Sequence, residues 1–169
     1  NIMASELRVD KIVPTDGVPT GGGGGIIQVK HLTKTDSFST QSTSLVDITG
    51  FTLSITPKFN TSKIMVIASG YISSQGNDHG VHLFFYRTRS GQSDVEIGRS
   101  YNQKNNVQSQ TGGTFIIQML DSPATTSAVT YMGRLKTDAS QHNARIGAGG
   151  NGGETNIPDS VITLMEVSA

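Results

Sequence analysis

Phe51, Leu53 and Ile55 alternate with Thr52, Ser54 and Thr56, and that period of two most narrows the folds open to this chain. Successive side chains of a strand point to opposite faces, so alternating apolar and hydroxylated residues build a strand with one buried and one wet face. Pro57, Lys58, Phe59, Asn60, Thr61 and Ser62 then supply turn chemistry, and Ile64, Met65, Val66, Ile67 and Ala68 form an apolar run. The run is β-branched and short enough for a core strand rather than a helix. Residues 49–74 therefore read as two strands joined by a polar loop, a hairpin. A lone hairpin is marginal in water, so the rest of the chain must supply sheet neighbours and a second layer.

At 169 residues the chain is expected to form one domain, long enough to bury roughly 70% of its unfolded surface. Charged residues make up 15%, with 13 basic and 13 acidic side chains cancelling. Such a chain has no long-range field to draw in nucleic acid or an anionic membrane, and little repulsion between its own copies. Cysteine is absent, which removes disulfides and thiolate metal sites. No apolar run approaches the ~20 residues of a membrane span, and the first residues lack the blocks of a signal peptide. Neither a membrane partner nor an export address is expected.

Residues 5–13 (SELRVDKIV) read as a short extended arm ending at Pro14, and residues 21–25 are an unbroken glycine run. Five glycines span about 12 Å as a flexible coil, which decouples the arm from the body of the chain. Two placements fit the arm: a first strand of the body's own sheet, or a segment that pairs with another subunit or protein. The boundaries are an arm over 1–20, a glycine linker over 21–25 and a sandwich over 26–169. Within the body, strands are expected over 26–34, 45–48, 51–55, 64–68, 81–88, 95–101, 114–120, 128–136, 144–148 and 160–167. On 81–88 Leu83, Phe85 and Arg87 share one face, with His82, Phe84, Tyr86 and Thr88 on the other. Both faces carry large side chains, which fits either a central strand or a subunit contact. Residues 36–44 and 102–113 read as polar loops, residues 76–80 as a turn, and no stretch shows helical spacing with caps. The expected fold is all-β, an antiparallel β-sandwich of jelly-roll type with an extended N-terminal arm.

No motif places catalytic chemistry. Gly147, Gly149 and Gly152 match the spacing of a dinucleotide fingerprint, but Pro158 and the short remainder leave no room for the helix that would hold a pyrophosphate. His79 and His82 beside Asp78 suggest a metal pair; residues three apart on a strand face opposite ways, and no third ligand is apparent. No Gly-x-Ser-x-Gly elbow or set-apart carboxylate pair occurs, so neither catalytic residue, cofactor nor metal is expected. Binding function is expected on loops 73–80 and 102–113, with Asn77, Asp78, His79, Tyr101, Asn102, Asn105 and Asn106 as candidate receptor contacts.

The run SELRVDKIVPTDGVPTGGGGG over residues 5–25 resembles the N-terminal signature of small structural proteins of tailed phages, notably marine and cyanobacterial ones. Phe51 to Pro57 (FTLSITP), Ser62, Lys63 and Ile64, residues 121–128 (DSPATTSA), and Leu164, Met165 and Glu166 look like the recurring body of the same family. The resemblance implies a non-enzymatic virion component, a fibre or head decoration, docked on capsid, portal-tail or fibre subunits. Leu7, Val9, Ile12, Val13 and Pro14 are the docking residues it implies. A homotrimer is expected by analogy, as a way to cover exposed sheet edges and faces. The alternative is a receptor-binding tail-fibre adhesin that recognises host surface glycan through the two loops.

Overall fold

A computed structural model describes residues 25–75, 80–102, 110–148 and 159–168 and places ten strands among them. In chain order these are β1 Ile26–Lys34, β2 Phe38–Thr40, β3 Val46–Ile55, β4 Lys63–Gln75, β5 Val81–Thr88, β6 Val95–Asn102, β7 Gln110–Asp121, β8 Val129–Thr137, β9 Ala144–Ile146 and β10 Ser160–Val167. Alternation governs them as expected. In β5, Val81, Leu83 and Phe85 are fully buried while His82, Phe84 and Tyr86 are half-buried on the other face. No described residue is helical.

The strands form two antiparallel sheets, β1-β10-β4-β9-β2 with β7 on the far side of β4, and β3-β8-β5-β6. Their pairing is nested: β1 with β10, β2 with β9, β3 with β8, β4 with β7, and β5 with β6. One long hairpin has been doubled over and rolled up, and the contacts of β10 with β4 and of β8 with β5 close the roll. This is a jelly roll, the double-sheet solution to the edge problem of antiparallel strands.

Three expectations need correction. Residues 49–74 are not a hairpin, because β3 pairs with β8 while β4 pairs with β10, β7 and β9. The connection after Ile55 crosses from one sheet to the other: alternation fixes which face of a strand is buried but not which strand lies beside it. Residues 45–48 are no separate strand; β3 runs through them with a register shift between Asp47 and Thr52, where Gly50 takes a φ of +76°. Glycine occupies that left-handed backbone without the steric penalty of a Cβ. Finally, residues 36–44 are not all loop, since Phe38–Thr40 pairs with Ala144–Ile146.

The core lies between the sheets. Phe51 of β3 meets Phe85 of β5 edge-on at 6.0 Å and Phe115 of β7 edge-on at 6.3 Å, so one ring ties both sheets together. Phe85 stands in register with Gly98 on one side and Gly133 on the other. A Cβ at Gly133 would come within 2.7 Å of the Phe51 ring, and one at Gly98 within 2.7 Å of Ile117. The two glycines thus keep space over β6 and β8 for large side chains packing down on them.

Two carboxylates brace the roll. Glu166 of β10 is fully buried. It accepts a hydrogen bond from Gln28 Nε2 at 2.6 Å and another from the Lys58 backbone N–H at 2.6 Å, while Gln28 also donates to Thr56 O at 2.8 Å. The crossing after β3 is thereby fastened to β1 and β10. Asp121, closing β7, receives Arg87 Nη1 at 2.7 and 3.0 Å and the Tyr131 hydroxyl at 2.8 Å, which joins the first sheet to β5 and β8 of the second.

Candidate functional site

The strand ends that border both candidate loops lie at one end of the sandwich. Val81, first in β5, pairs with Asn102, last in β6; Gln75, last in β4, pairs with Gln110, first in β7. The strand ends of both sheets that flank residues 76–79 and 103–109 therefore stand side by side. The candidate loops are shorter than expected, because Ser73, Ser74 and Gln75 and residues 110–113 belong to the β4–β7 ladder. Asn77, Asp78, His79, Asn105 and Asn106, like the arm residues Leu7, Val9, Ile12, Val13 and Pro14, lie outside the described residues.

Of the candidate contacts, Tyr101 and Asn102 are placed, both on β6. The Tyr101 ring is 48% exposed and stacks on His82 at 4.3 Å. His82 Nε2 bonds Asp138 Oδ1 at 2.5 Å, and the Gly80 N–H donates to Asp138 Oδ2 at 3.0 Å. A Cβ at Gly80 would collide with the Tyr101 ring and the Asp138 carboxylate, so this glycine lets the cluster close around the start of β5. Burial alone would raise the Asp138 carboxyl. The hydrogen bonds from His82 and Gly80, with the charges of His82 and Lys136, outweigh that and hold it below the ordinary value. The Tyr101 phenol is pushed up by burial and by the Asp138 charge. His82 thus serves as a strut to Asp138, and no group of three or more His, Asp or Glu side chains among the described residues is placed to hold a metal ion.

Asp138 was not legible as part of a site. It lies 56 residues from His82 in an ordinary turn sequence, and only the pairing of His82 with Lys136 brings the two together. Its depressed titration has a measurable consequence. A group with a folded pKa below its unfolded one adds stability that is complete above the unfolded value and is lost as pH falls through the folded value. The urea midpoint should drop more steeply below about pH 4 in the wild type than in Asp138→Asn, and parallel pH profiles would refute this.

Along the outer face of β5, aromatic rings alternate with cations from its neighbours. Arg99 lies 5.1 Å over Phe84, Lys136 6.0 Å over the same ring, and Arg134 4.6 Å over Tyr86. Arg134 also bonds Asp47 at 2.6 Å and Asp94 at 2.7 Å, and Arg99 bonds Glu96 at 2.6 Å. With nearly every cation matched by a carboxylate, this face offers no excess positive charge to an acidic polymer.

No protein-family profile and no curated protein matches the chain. Solved structures give weak likenesses. That of the infectious bursal disease virus Gx strain aligns with a TM-score of 0.47 at 11% identity over 98% of this chain and 44% of that one. The VP2 subviral particle of infectious bursal disease virus gives 0.40 at 13% identity over 98% and 43%. Eiger TNF from S. frugiperda gives 0.35 at 6% identity over 82% and 95%. The chain spans less than half the length of the viral chains it matches. The jelly-roll assignment rests on this chain's own strand pairing.

Proposed function

We propose that this chain is a non-enzymatic structural component of a virion. Residues 1–20 dock it on a neighbouring capsid, portal-tail or fibre subunit, and its sandwich projects outward as a homotrimer, as a fibre or head decoration. The observation that carries this reading is the work done by the segments that resemble tailed-phage structural proteins. Asp121 and Glu166, both within those segments, are spent on bracing strand to strand. That use suits a scaffold that acts by assembling. Closed symmetric rings are the usual form of such self-association.

Labelling the chain and imaging purified particles by electron microscopy tests the reading. Label at a fixed position on particles is expected, and label confined to the particle-free fraction overturns it. Deleting residues 1–20 should abolish incorporation while leaving the far-ultraviolet strand signal of the body unchanged; incorporation at wild-type occupancy would remove the docking role from the arm.

A second reading, a receptor-binding adhesin for host surface glycan, is favoured by the ends of β4, β5, β6 and β7 that border the two candidate loops lying together at one end of the sandwich with exposed Tyr101. Specific retention on a glycan array that is lost in Tyr101→Ala supports it. A silent array together with a cross-link from the arm to a particle protein favours attachment alone.

A further inference from the structure

The two outer faces of the sandwich differ in kind. Ion pairs cover β3-β8-β5-β6, whereas the outer face of β1-β10-β4-β7 carries bands of uncharged side chains. Register places Val29, Met165, Met65 and Leu120 in one row across all four strands. Thr33, Val161, Ser69 and Ile116 form another, with His31, Thr163, Ile67 and Gln118 between them. Ile116 is 73% exposed, Ile26 59%, Val29 54% and Leu120 48%. Formal charges stand at the two rims, Lys63 beside Val167 at one and Asp159 beside Ser69 and Ile116 at the other. A contiguous apolar band of this kind on an otherwise amide- and hydroxyl-rich surface marks a contact site.

We infer that this face is where a second copy of the chain docks, an inference that rests on the self-association proposed above. Electrostatics select the occupant. A face with one cation at one rim, one carboxylate at the other and no charge between them meets its own copy without opposed like charges across the centre. The chain's 13 basic and 13 acidic residues also remove the long-range repulsion that separates identical molecules. A partner recruited by charge would have its counter-charges across the middle of this face, and the three rows there carry none. Size agrees: four strands about 4.8 Å apart and seven residues of about 3.3 Å give roughly 450 Å² of plane per copy. Two copies together bury on the order of 900 Å² before side-chain relief is added, which brings the contact to the ~1,000 Å² expected of a specific interface. Met65 and Met165 at the centre supply unbranched side chains that adapt to a facing copy.

The test uses the full-length chain at micromolar concentration, with mass read by sedimentation and light scattering. The wild type is expected to be oligomeric and Ile116→Glu/Leu120→Glu to fall to the mass of one chain. Both positions point outward, so strand content and melting temperature should hold; if they do not, Val29→Lys on the edge strand is read in the same way. Arg99→Glu on the opposite face and Leu7→Asp/Val9→Asp in the arm should keep the wild-type mass. An oligomer that survives Ile116→Glu/Leu120→Glu overturns this face while leaving self-association standing. Dissociation by Leu7→Asp/Val9→Asp makes the arm the contact instead, and dissociation by Arg99→Glu moves the contact to the other sheet. A monomeric wild type removes the interface and the homotrimer together, a dimer that Ile116→Glu/Leu120→Glu dissociates keeps the interface and removes the homotrimer, and the particle-labelling experiment still judges the virion role.

Discussion

Asp121→Ala is expected to destabilise the fold by about 3–5 kcal/mol, the range for removing one partner of a buried ion pair. The Asp121 side chain is 11% exposed and that of Arg87 12%, so deleting the carboxylate strands a guanidinium that water hardly reaches. Its Nε already has no hydrogen-bond partner. Tyr131, fully buried, loses its acceptor as well. Burial first, and then the Asp121 hydrogen bond and charge, hold its phenol far above the ordinary range, so it remains a donor throughout the working pH range. At about 2–4 °C per kcal/mol for a chain this long, the melting temperature should fall by roughly 6–20 °C. Tyr131→Phe alone should cost about 1 kcal/mol, and distinctly less in the Asp121→Ala background, because the two act as one network. A melting shift within about 2 °C of wild type for Asp121→Ala, where even one kcal/mol moves the midpoint that far, would mean that the brace contributes nothing.

Phe51→Ala is expected to cost a similar amount, about 3–5 kcal/mol, typical of emptying a buried aromatic site. The ring is fully buried and touches rings of both sheets edge-on, so its loss opens a void at the seam between the layers. Gly133 beneath it has no side chain to relax into that void, and the edge-to-face contacts add about 0.5–1.5 kcal/mol each beyond area burial. Against a usual total of about 5–15 kcal/mol, much of the stability is at stake. Urea unfolding should show a lower midpoint with an unchanged slope, the sign of lost stability without a new denatured state; a midpoint equal to wild type would place the seam elsewhere.

What could be read in advance divides along a physical line. The bounds of β1, β5 and β10, the absence of helix from the described residues and the two-layer architecture follow from local alternation, which each segment displays by itself. Which strand neighbours which is a long-range property, and there the expected hairpin over residues 49–74 gave way to a crossing between sheets. Phe38–Thr40 was missed because three residues are too few to show a period. Nothing local in the sequence marks Glu166 and Asp138 as structural: their partners Gln28 and His82 lie 138 and 56 residues away and meet them only through strand pairing. Gly98 and Gly133 carry no local signal either; they are room reserved for Ile117 and Phe51.

The nested pairing also sets an order of events during synthesis. β10, made last of the ten strands, lies between β1 and β4, so the first sheet cannot close until residues 160–167 have emerged. Until then the nascent chain presents open edges on both β1 and β4, a state prone to stick to other chains. Such long-range closure is slow compared with the local β5–β6 turn. Folding should therefore begin at the tip of the doubled hairpin and end where its two arms meet.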